Sequence, residues 1–378
     1  MSKVKLGDVA IEHKETCKGS KDGYPIIGLE HLIPEEVTLT AWDEGSDNTF
    51  TKMFRKGNVL FGRRRAYLKK AAVAPFDGIC SGDITVIEAI PDRILPELLP
   101  FIIQNDDLFD FAVGKSAGSL SPRVKWEHLK NYEFELPDMD KQRELAELLW
   151  AMDATKKSYQ KLIAATDELV KSQFIDMFGA PLSNEKGWPL KRIGDLFSLI
   201  SRGKQPSYVD HSSVRVVNQA CIYWDRFNFE NVKYHDSQSG KKTLPVKKDC
   251  ILINSTGTGT LGRCNVFPEL TDGYVYVVDS HVTVLAESHD VNAYFFKCFL
   301  QREDVQKKIY AECVNGSTNQ IELSKEKLSD VLLVVPPMER QEQFAAFVRQ
   351  SDKSKFELEQ ALSELTATYK RIITENLG

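Results

Sequence analysis

The sequence lacks a segment that could cross a membrane or direct the chain through one. No run of roughly 18 or more apolar residues, the usual minimum for a membrane-spanning helix, occurs in the chain of 378 residues. The first residues, MSKVKLGDVAIEHKE, contain no apolar core of the kind that a signal peptide has. We therefore expect a cytoplasmic protein with no membrane partner.

The sequence also lacks the cysteine and histidine spacings that mark metal or disulfide sites. Its seven cysteines include no C-x-x-C pair, and its seven histidines include no H-E-x-x-H or similar motif. An odd number of cysteines, in a chain long enough to build large apolar cores, predicts buried and reduced thiols. Neither a zinc site nor a disulfide framework is expected.

Positive charge is not in excess. The chain has 49 Lys and Arg against 54 Asp and Glu, for a net charge of −5. This balance argues only weakly against a nucleic-acid partner, because a partner responds to the local field of the surface it touches. A hydrophobic content of 42% indicates a folded protein, and the length predicts two or three domains.

Two glycine-rich segments resemble nucleotide-binding motifs but do not meet their requirements. Residues 257–262 (GTGTLG) fit G-x-G-x-x-G, but the following RCNVFP does not begin the helix that would bind a pyrophosphate. Gly114-Lys115-Ser116 ends like a P-loop, but Phe109 stands where that motif requires its first glycine. We expect no cofactor, and no set of residues able to catalyse a reaction alone.

The chain repeats itself at long range. Four short matches occur in the same order in both halves, with an offset that grows from 187 to 199 residues. They are KLGDV (5–9) with RIGDL (192–196), GNVLF (57–61) with DCILI (249–253), DITV (83–86) with HVTV (281–284), and LPDMDKQ (136–142) with VPPMERQ (335–341). This order predicts two homologous halves, with insertions in the second.

Each half ends in a long helical pattern. Apolar residues recur every seven positions after Pro137, and in the same phase after Pro336, which predicts two helices of about 38 residues and about 57 Å. Gly179 and Pro181 are expected to end the first helix. Because the helices close equivalent halves, we predict that they pack as an antiparallel pair. The predicted packing residues are Leu148, Met152, Leu162, Leu169, Phe347, Leu358, Leu362 and Leu365.

The remaining segments mix strand and helix signals. Residues 1–138 and 181–337 contain short β-rich runs, glycine-rich turns and helical stretches at 96–112 and 292–311. Residues 139–180 and 338–378 hold the long helices. The predicted class is α/β, with two mixed α/β domains in a pseudo-twofold repeat, separated by a coiled-coil-like pair of antiparallel helices.

A cluster of positive charge lies between residues 52 and 70, where eight lysines and arginines occur with no acidic residue. Arg63-Arg64-Arg65 follows a predicted strand and is expected on a loop, where arginine can bind phosphates or grip guanine. A solvated charge run is the ordinary alternative, and both interpretations stay open. The candidate DNA contacts in this half are Arg63, Arg64, Arg65, Lys69, Lys70, Ser119 and Arg123.

The equivalent segment of the second half, residues 254–263, carries hydroxyl and amide groups in place of most of the arginines. Two equivalent loops with different chemistry suit a protein that reads two different DNA sequences with one scaffold. Any of these residues could instead serve only in a turn or a cap. The candidates are Ser255, Thr256, Thr258, Thr260, Arg263, Thr318, Asn319 and Gln320.

Taken together, these features resemble the specificity subunit of type I restriction–modification systems. The resemblance covers essentially the whole chain. It rests on LGD (6–8) and IGD (193–195) opening the halves, the Gly-x-x-Pro loop in SRGKQP (201–206), the closing loops GSLSPR (118–123) and NGSTNQ (315–320), and the two proline-to-helix junctions. Lys204 of the Gly-x-x-Pro loop joins the candidate DNA contacts. The first half departs from the pattern, since it has TCKG (16–19) in place of that loop.

The resemblance implies a subunit that does no chemistry itself. Such a subunit places a bipartite double-stranded DNA target before methyltransferase subunits, of which two are expected, and a translocating restriction subunit can join. Each target-recognition domain reads one half-site, and the helix pair acts as a spacer between them. Partner subunits share the phosphate contacts, so the negative total charge is tolerable.

Two other interpretations stay open from the sequence. The chain could be a scaffold of two ligand-binding domains on a helical stalk, without a DNA role. Sequence-dependent retention of duplex DNA would separate this scaffold from a DNA-recognition subunit. A stand-alone enzyme built on residues 257–262 is the third interpretation, and failure to bind any nucleotide or cofactor would exclude it.

Overall fold

The computed structural model describes residues 2–45, 48–118, 120–286, 288–316 and 321–378. The chain divides into two compact units. The first consists of residues 1–162 and 357–378, and the second of residues 163–356. Each unit therefore contains a globular part and one end of each long helix.

The globular part of the first unit mixes strands with short helices. Its strands are β1 Ser2–Lys5, β2 Ala10–Glu12, β3 Ile26–Ile27, β4 Lys52–Phe54, β5 Val59–Gly62, β6 Ala71–Val73, β7 Gly78–Cys80, β8 Ile84–Ala89 and β9 Glu133–Leu136. Its helices are α1 Leu6–Val9, α2 Leu99–Ile103, α3 Asp106–Gly114 and α4 Trp126–Leu129. The long helix α5, Met139–Phe178, follows.

The strands of the first unit form two sheets and a terminal pair. The four-stranded sheet has the order β2-β8-β5-β6 and is antiparallel, and the three-stranded sheet has the order β3-β7-β4 with β3 and β7 parallel. β1 pairs with β9. All four residues of β5 are buried, so this strand does not alternate apolar with polar residues as a strand with one face in water does.

The globular part of the second unit contains the corresponding elements and further ones. Its strands are β10 Leu190–Arg192, β11 Leu199–Arg202, β12 Tyr208–Val209, β13 Val214–Val217, β14 Lys233–His235, β15 Leu244–Pro245, β16 Ile251–Asn254, β17 Cys264–Val266, β18 Val275–Val278, β19 Val282–Ala286, β20 Val314–Asn315, β21 Glu322–Leu323 and β22 Leu332–Val334. Its helices are α6 Ile193–Leu196, α7 Ala293–Leu300, α8 Glu303–Glu312 and α9 Lys325–Asp330, followed by the long helix α10, Met338–Leu377.

The second unit repeats the strand order of the first. Its four-stranded sheet has the order β11-β19-β16-β17, and β10 pairs with β22. β13 and β18 run parallel, as β3 and β7 do, within the order β12-β14-β13-β18-β15. The predicted duplication of a mixed α/β domain is therefore confirmed, and the five-stranded sheet is one place where the second domain is larger.

The two shorter helical stretches differ from the sequence prediction. Each was expected to be continuous, but each is split into two helices, at Gln104-Asn105 and at Gln301-Arg302. Asn105 ends the continuity because its side chain accepts a hydrogen bond from the Asp107 N–H at 3.1 Å and caps α3. Capping by Asn105 thus divides the first stretch, whereas α8 begins after Arg302 without a side-chain cap.

Capping residues mark both ends of the long helix α5. α5 and α10 contain 40 residues each. The Asp138 carboxylate accepts from the Lys141 N–H at 2.9 Å and caps α5. Gly179 ends α5 with a φ of +76°, a conformation that glycine adopts without strain. Over the described residues, the helices are all too short or too polar to span a lipid bilayer.

A repeated glutamine joins each long helix to its domain. Gln142 of α5 donates to the Pro137 carbonyl at 2.9 Å and accepts from the Leu95 N–H at 2.9 Å. Gln341 of α10 makes the equivalent bonds to the Pro336 carbonyl at 2.8 Å and from the Asn292 N–H at 2.9 Å. These buried bonds give a physical reason for the same residue at both proline-to-helix junctions.

Within each unit the two long helices run antiparallel. In the second unit, Phe174 and Phe178 near the end of α5 pack against Phe344 near the start of α10. Lys355 of α10 donates to both oxygens of Asp167, earlier in α5, at 2.9 and 3.0 Å. In the first unit, the core takes residues from the start of α5 and the end of α10, namely Leu145, Ala146, Leu149, Ile373 and Leu377.

The predicted packing stripe needs a correction. Met152 is buried, and Phe347, Leu358, Leu362 and Leu365 are partly buried. Leu148, Leu162 and Leu169, however, each keep about half of their surface exposed. The buried contacts of α5 come instead from neighbouring positions such as Leu145 and Leu149, because the globular domain turns the buried face of the helix away from a strict two-helix seam.

Candidate nucleic-acid interface

Three loops meet at the end of β5 in the first domain. They are the segment after β5 (residues 63–65), the turn before β8 (81–83) and the closing loop (121–124), and together they are called the first crossing. The Arg63 N–H donates to the Asp83 carbonyl, and the Val124 N–H donates to the Arg63 carbonyl, both at 3.0 Å. The Arg65 N–H donates to the Pro122 carbonyl at 2.8 Å. These main-chain bonds hold the three loops together and do not depend on which side chains the loops carry.

Two arginines converge on one carboxylate in the first crossing. The Arg123 guanidinium donates to Asp83 at 2.7 and 3.3 Å, and Arg64 lies 3.5 Å from the same carboxylate. Arg64 also donates to the Ser121 hydroxyl at 2.6 Å. Bonding to Arg123, with a smaller contribution from Arg64, holds the pKa of Asp83 below its usual value. Each arginine keeps further donors that can reach a phosphate or a base edge.

The other predicted cations of this half are placed differently. Arg65 is exposed, and its own main chain is in the left-handed conformation, with φ of +55°. The Arg63 Nε is buried without a hydrogen-bond partner among the described residues. Lys69 donates to Asp106 at 2.5 Å, and Lys70 donates to the Leu29 carbonyl at 2.7 Å. The two lysines are therefore bonded within the domain, and their ammonium groups are less available to a partner.

The second domain contains an equivalent second crossing, formed by residues 255–257, 279–281 and 321–323. The Ser255 N–H donates to the His281 carbonyl, and the Leu323 N–H donates to the Ser255 carbonyl, both at 2.8 Å. The turns before β8 and β19 also match. The Ser81 hydroxyl accepts from the Asp83 N–H at 3.2 Å, and the Asp279 carboxylate accepts from the His281 N–H at 2.9 Å.

Different side chains fill the second crossing. Thr256 stands where the first crossing has Arg64, and its hydroxyl shares a hydrogen bond of 2.8 Å with His281 Nδ1. Glu322 stands where the first crossing has Arg123, and it forms an ion pair with Arg202. A hydroxyl and a carboxylate thus replace the two arginines that hold Asp83.

The candidates of residues 255–263 separate into internal and surface groups. Ser255 is fully buried, and its hydroxyl lies 2.6 Å from that of Thr283, so its prediction as a DNA contact is corrected to a structural role. The Thr260 hydroxyl donates to the Thr256 carbonyl at 3.0 Å and closes the loop. Thr258 is exposed. Arg263 takes the place of Lys70, because its carbonyl accepts from Asn254 at 2.8 Å as that of Lys70 accepts from Gly62 at 2.8 Å.

The Gly-x-x-Pro loop leads from β11 past the second crossing. A side chain at Gly203 would meet the Asp279 carbonyl oxygen at 2.0 Å, so this close approach requires glycine. Lys204, the next residue, is exposed. Four other predicted contacts, Ser119, Thr318, Asn319 and Gln320, lie outside the described residues.

Sequence reasoning missed Asp83 and His281 as members of the crossings. Both open the repeated segments DITV and HVTV, so the duplication marked their positions. Nothing in the sequence showed that the main-chain carbonyl at this point accepts a hydrogen bond from the loop after the neighbouring strand of the sheet, β5 or β16. Both residues act through contacts with residues at least 19 positions away in the sequence.

A cluster of possible metal ligands does not suit a metal ion. Among the described residues, one possible ligand atom from each of Glu30, His31 and Asp43 lies close to the other two. His31 Nδ1 accepts from the Gly28 N–H at 2.9 Å, so the proton of a neutral ring lies on Nε2, which faces Asp43 at 3.5 Å. A protonated nitrogen has no lone pair for a metal.

The duplicated α/β domain, the antiparallel helices and the two crossings define a class of protein with two related surfaces of different chemistry. The family model for the type I restriction modification DNA specificity domain matches residues 1–165 and 185–366. The chain belongs to this family, as the sequence resemblance predicted. It is a type I restriction–modification specificity subunit, and membership implies recognition of a DNA target.

Two related proteins carry the name of the same kind of subunit. The chain is 25% identical over 334 residues to the MjaIX specificity subunit of Methanocaldococcus jannaschii, covering 79% of this chain and 71% of that protein. It is 25% identical over 179 residues to the EcoDI specificity subunit of Escherichia coli, covering 46% and 36%.

The fold resembles two solved chains. One is the S subunit of a type I restriction-modification system from M. genitalium, with a TM-score of 0.61, 13% identity and coverage of 100% and 96%. The other comes from a study of complex assembly and conformational transition in a type I R-M system, with a TM-score of 0.59, 19% identity and coverage of 99% and 97%.

Proposed function

We propose that the chain reads a bipartite duplex DNA target and positions partner subunits on it without performing chemistry itself. The partners are two methyltransferase subunits, and a restriction subunit can join them. Each α/β domain reads one half-site. The domains span residues 1–138 and 181–337, and the helices of residues 139–180 and 338–378 act as a spacer that sets the gap between the half-sites.

One observation carries this proposal. The two crossings share two main-chain bonds and an antiparallel bridge, but Arg64, Asp83 and Arg123 in the first give way to Thr256, His281 and Glu322 in the second. Main-chain bonding that is independent of side chains lets the side chains differ while the loops stay in place. Arginine favours guanine and phosphate, and hydroxyl groups contact any base, so the two crossings suit two different half-sites.

The partner subunits account for the charge of the chain. A net charge of −5 is unusual for a protein that holds DNA alone, because phosphate contacts from lysine and arginine supply much of the affinity. In the proposed complex the partners provide many of these contacts. The chain then needs positive charge only where its own surface touches DNA.

The test is a genome-wide methylation map of the source organism with and without this gene. We expect a methylated motif of two defined half-sites around a fixed gap, present in the wild type and lost in the deletion. An unchanged map would contradict the proposal. Retention of a small ligand, with no difference between duplexes that contain or lack the motif, would favour the alternative of a ligand-binding scaffold.

A further inference from the structure

A short hairpin beside the second crossing carries an exposed aromatic side chain next to an arginine. Ile222 and Phe227 pair across the hairpin, and the Tyr223 N–H donates to the Arg226 carbonyl at 3.0 Å. Trp224 lies in the turn and its surface is 40% exposed. Exposed tryptophan and arginine are typical of binding surfaces, where each can contribute a large share of the affinity.

The hairpin is fixed to the body of the domain. Gln301 donates to the Trp224 carbonyl at 2.5 Å and to the Cys264 carbonyl at 2.9 Å. The Asn265 side chain donates to the Tyr223 carbonyl at 3.3 Å. These bonds hold the turn against β17, so Trp224 meets a partner from a defined position and little ordering entropy is lost on binding.

Two arginines lie against the Tyr223 ring. The guanidinium carbons of Arg226 and Arg263 are 5.2 and 5.5 Å from the ring centroid. A guanidinium held against an aromatic ring keeps its in-plane N–H donors available for an anion. The Arg263 Nε is buried and has no hydrogen-bond partner among the described residues, whereas the Arg226 side chain is 63% exposed and pairs with Asp225 at 2.8 Å, with further guanidinium donors left over.

The hairpin adjoins the second crossing through Arg263. This residue follows the loop of residues 257–262, and its carbonyl accepts from the N–H of Asn254, the residue before Ser255. The Asn254 side chain in turn donates to the carbonyl of Gln219 at 3.0 Å, in the turn that leads into the hairpin. The exposed indole and the two guanidinium groups therefore belong to the same end of the domain as Thr256 and His281.

We propose that the turn of this hairpin, Trp224 with Arg226, is a further DNA-contacting element of the second domain. Arg226 binds a backbone phosphate, and the indole of Trp224 packs against the adjoining sugar or base edge. Duplex DNA is favoured over an acidic protein surface as the occupant, because the arginines continue a surface that already belongs to the proposed DNA interface. The inference rests on the proposed function.

The test measures binding of duplex DNA by the full chain in complex with its methyltransferase subunits. The probe is a fluorescent duplex carrying the motif found in the methylation map, titrated between about 50 and about 200 mM salt. The variants are Trp224→Ala and Arg226→Ala. Matched controls are Trp42→Ala, whose side chain is 42% exposed in the first domain, and Arg192→Ala, whose side chain is 63% exposed and is also paired with an aspartate.

We expect Trp224→Ala to weaken binding about tenfold. Arg226→Ala should weaken it and lower the slope of log affinity against log salt by about one. The controls should match the wild type. Because the Arg226 side chain is exposed and outside the core, its variant tests the inference even if Trp224→Ala fails to fold.

Wild-type affinity and salt slope in both variants would overturn the inference. So would loss of the methyltransferase subunits from the complex with DNA affinity unchanged, since the hairpin would then be a protein-binding surface. A wild-type complex that does not distinguish the motif duplex from an unrelated one would overturn the proposed function, and the inference with it.

Discussion

At the scale of the residue, equivalent positions carry different chemistry. Arg64 and Asp83 form an ion pair in the first domain, and Thr256 and His281 share a hydrogen bond through a hydroxyl at the same place in the second. Two main-chain bonds and an antiparallel bridge around them are shared. A substitution in a crossing is therefore expected to change what the protein binds more than whether it folds.

Asp83 is predicted to restrain the two arginines that it pairs with. Asp83→Asn removes a negative charge and frees donors of Arg64 and Arg123, so affinity for DNA without the motif should rise several-fold and fall more steeply with salt. Binding assays with an unrelated duplex measure this. Asp77→Asn, which removes a carboxylate bonded to Arg55 outside the crossing, is the control. Equal effects of the two substitutions would contradict the prediction.

Asp279 is predicted to make stability depend on pH. Burial raises the pKa of its carboxyl, so the folded state disfavours the ionised form. The wild type therefore loses stability as the pH rises from the unfolded-state pKa of about 4 through the raised folded pKa. Asp279→Asn keeps an acceptor for the His281 N–H without the charge. Its unfolding free energy, relative to the wild type, should increase as the pH rises.

Asp272 provides a control of opposite sign for this measurement. Hydrogen bonding from Tyr276 and a smaller effect of Arg215 lower the pKa of its carboxyl, so the ionised form stabilises the fold above the unfolded-state pKa. This stability is lost as the pH falls through the folded pKa. Urea unfolding of Asp272→Asn should thus show a loss of stability that is larger at neutral than at acid pH. The same pH trend for both variants would contradict the opposite pKa shifts given for Asp279 and Asp272.

The sequence could point to the loops of the candidate interface, but not to the burial and pairing of each side chain. A cluster of one charge sign drew attention to residues 52–70, and the repeat pointed to residues 254–263. Burial of Ser255 and the pairing of Lys69 with Asp106 depend on strands and loops far apart in the chain. Composition and spacing contain no information on such contacts.

At the scale of the element, the long helices were the most predictable feature. Their apolar repeat continues over many turns, and Asp138 and Gly179 mark the ends of α5 by capping. The face that each helix buries was less predictable, because apolar residues of the helix pack against the globular domain as well as against the other helix. Leu148 is consequently more exposed than Leu145 and Leu149.

An aromatic cluster joins the two long helices to α7 in the second unit. Phe295 lies 4.7 Å from Phe178 and 5.5 Å from Phe174 between ring centroids, and it is fully buried. Phe295→Ala should lower the unfolding free energy of this unit by about 3 to 5 kcal/mol. Phe356→Ala, at a position 58% exposed on α10, should change it by less than about 0.5 kcal/mol. Denaturant unfolding gives both values, and a similar loss for both would contradict the packing described.

At the scale of the whole molecule, the proposal treats the helix pair as a ruler. The boundary between the two compact units falls after Leu162 in α5 and after Phe356 in α10. Inserting one heptad at each of these points adds about 10.5 Å of helix, or about three base pairs of duplex DNA. The gap in the methylated motif should grow by that amount, or methylation should be lost. A motif with an unchanged gap would refute the ruler role.

The central claim is that the two crossings read different halves of one target. The most direct test compares methylation maps for Arg64→Gln, which keeps a donor but removes the guanidinium, and Thr256→Val, which removes only a hydroxyl. We predict that each substitution relaxes the bases accepted in one half-site, a different one for each variant, while the other half-site and the gap stay unchanged. Relaxation of the same half-site by both variants, or of both half-sites by either, would contradict the account.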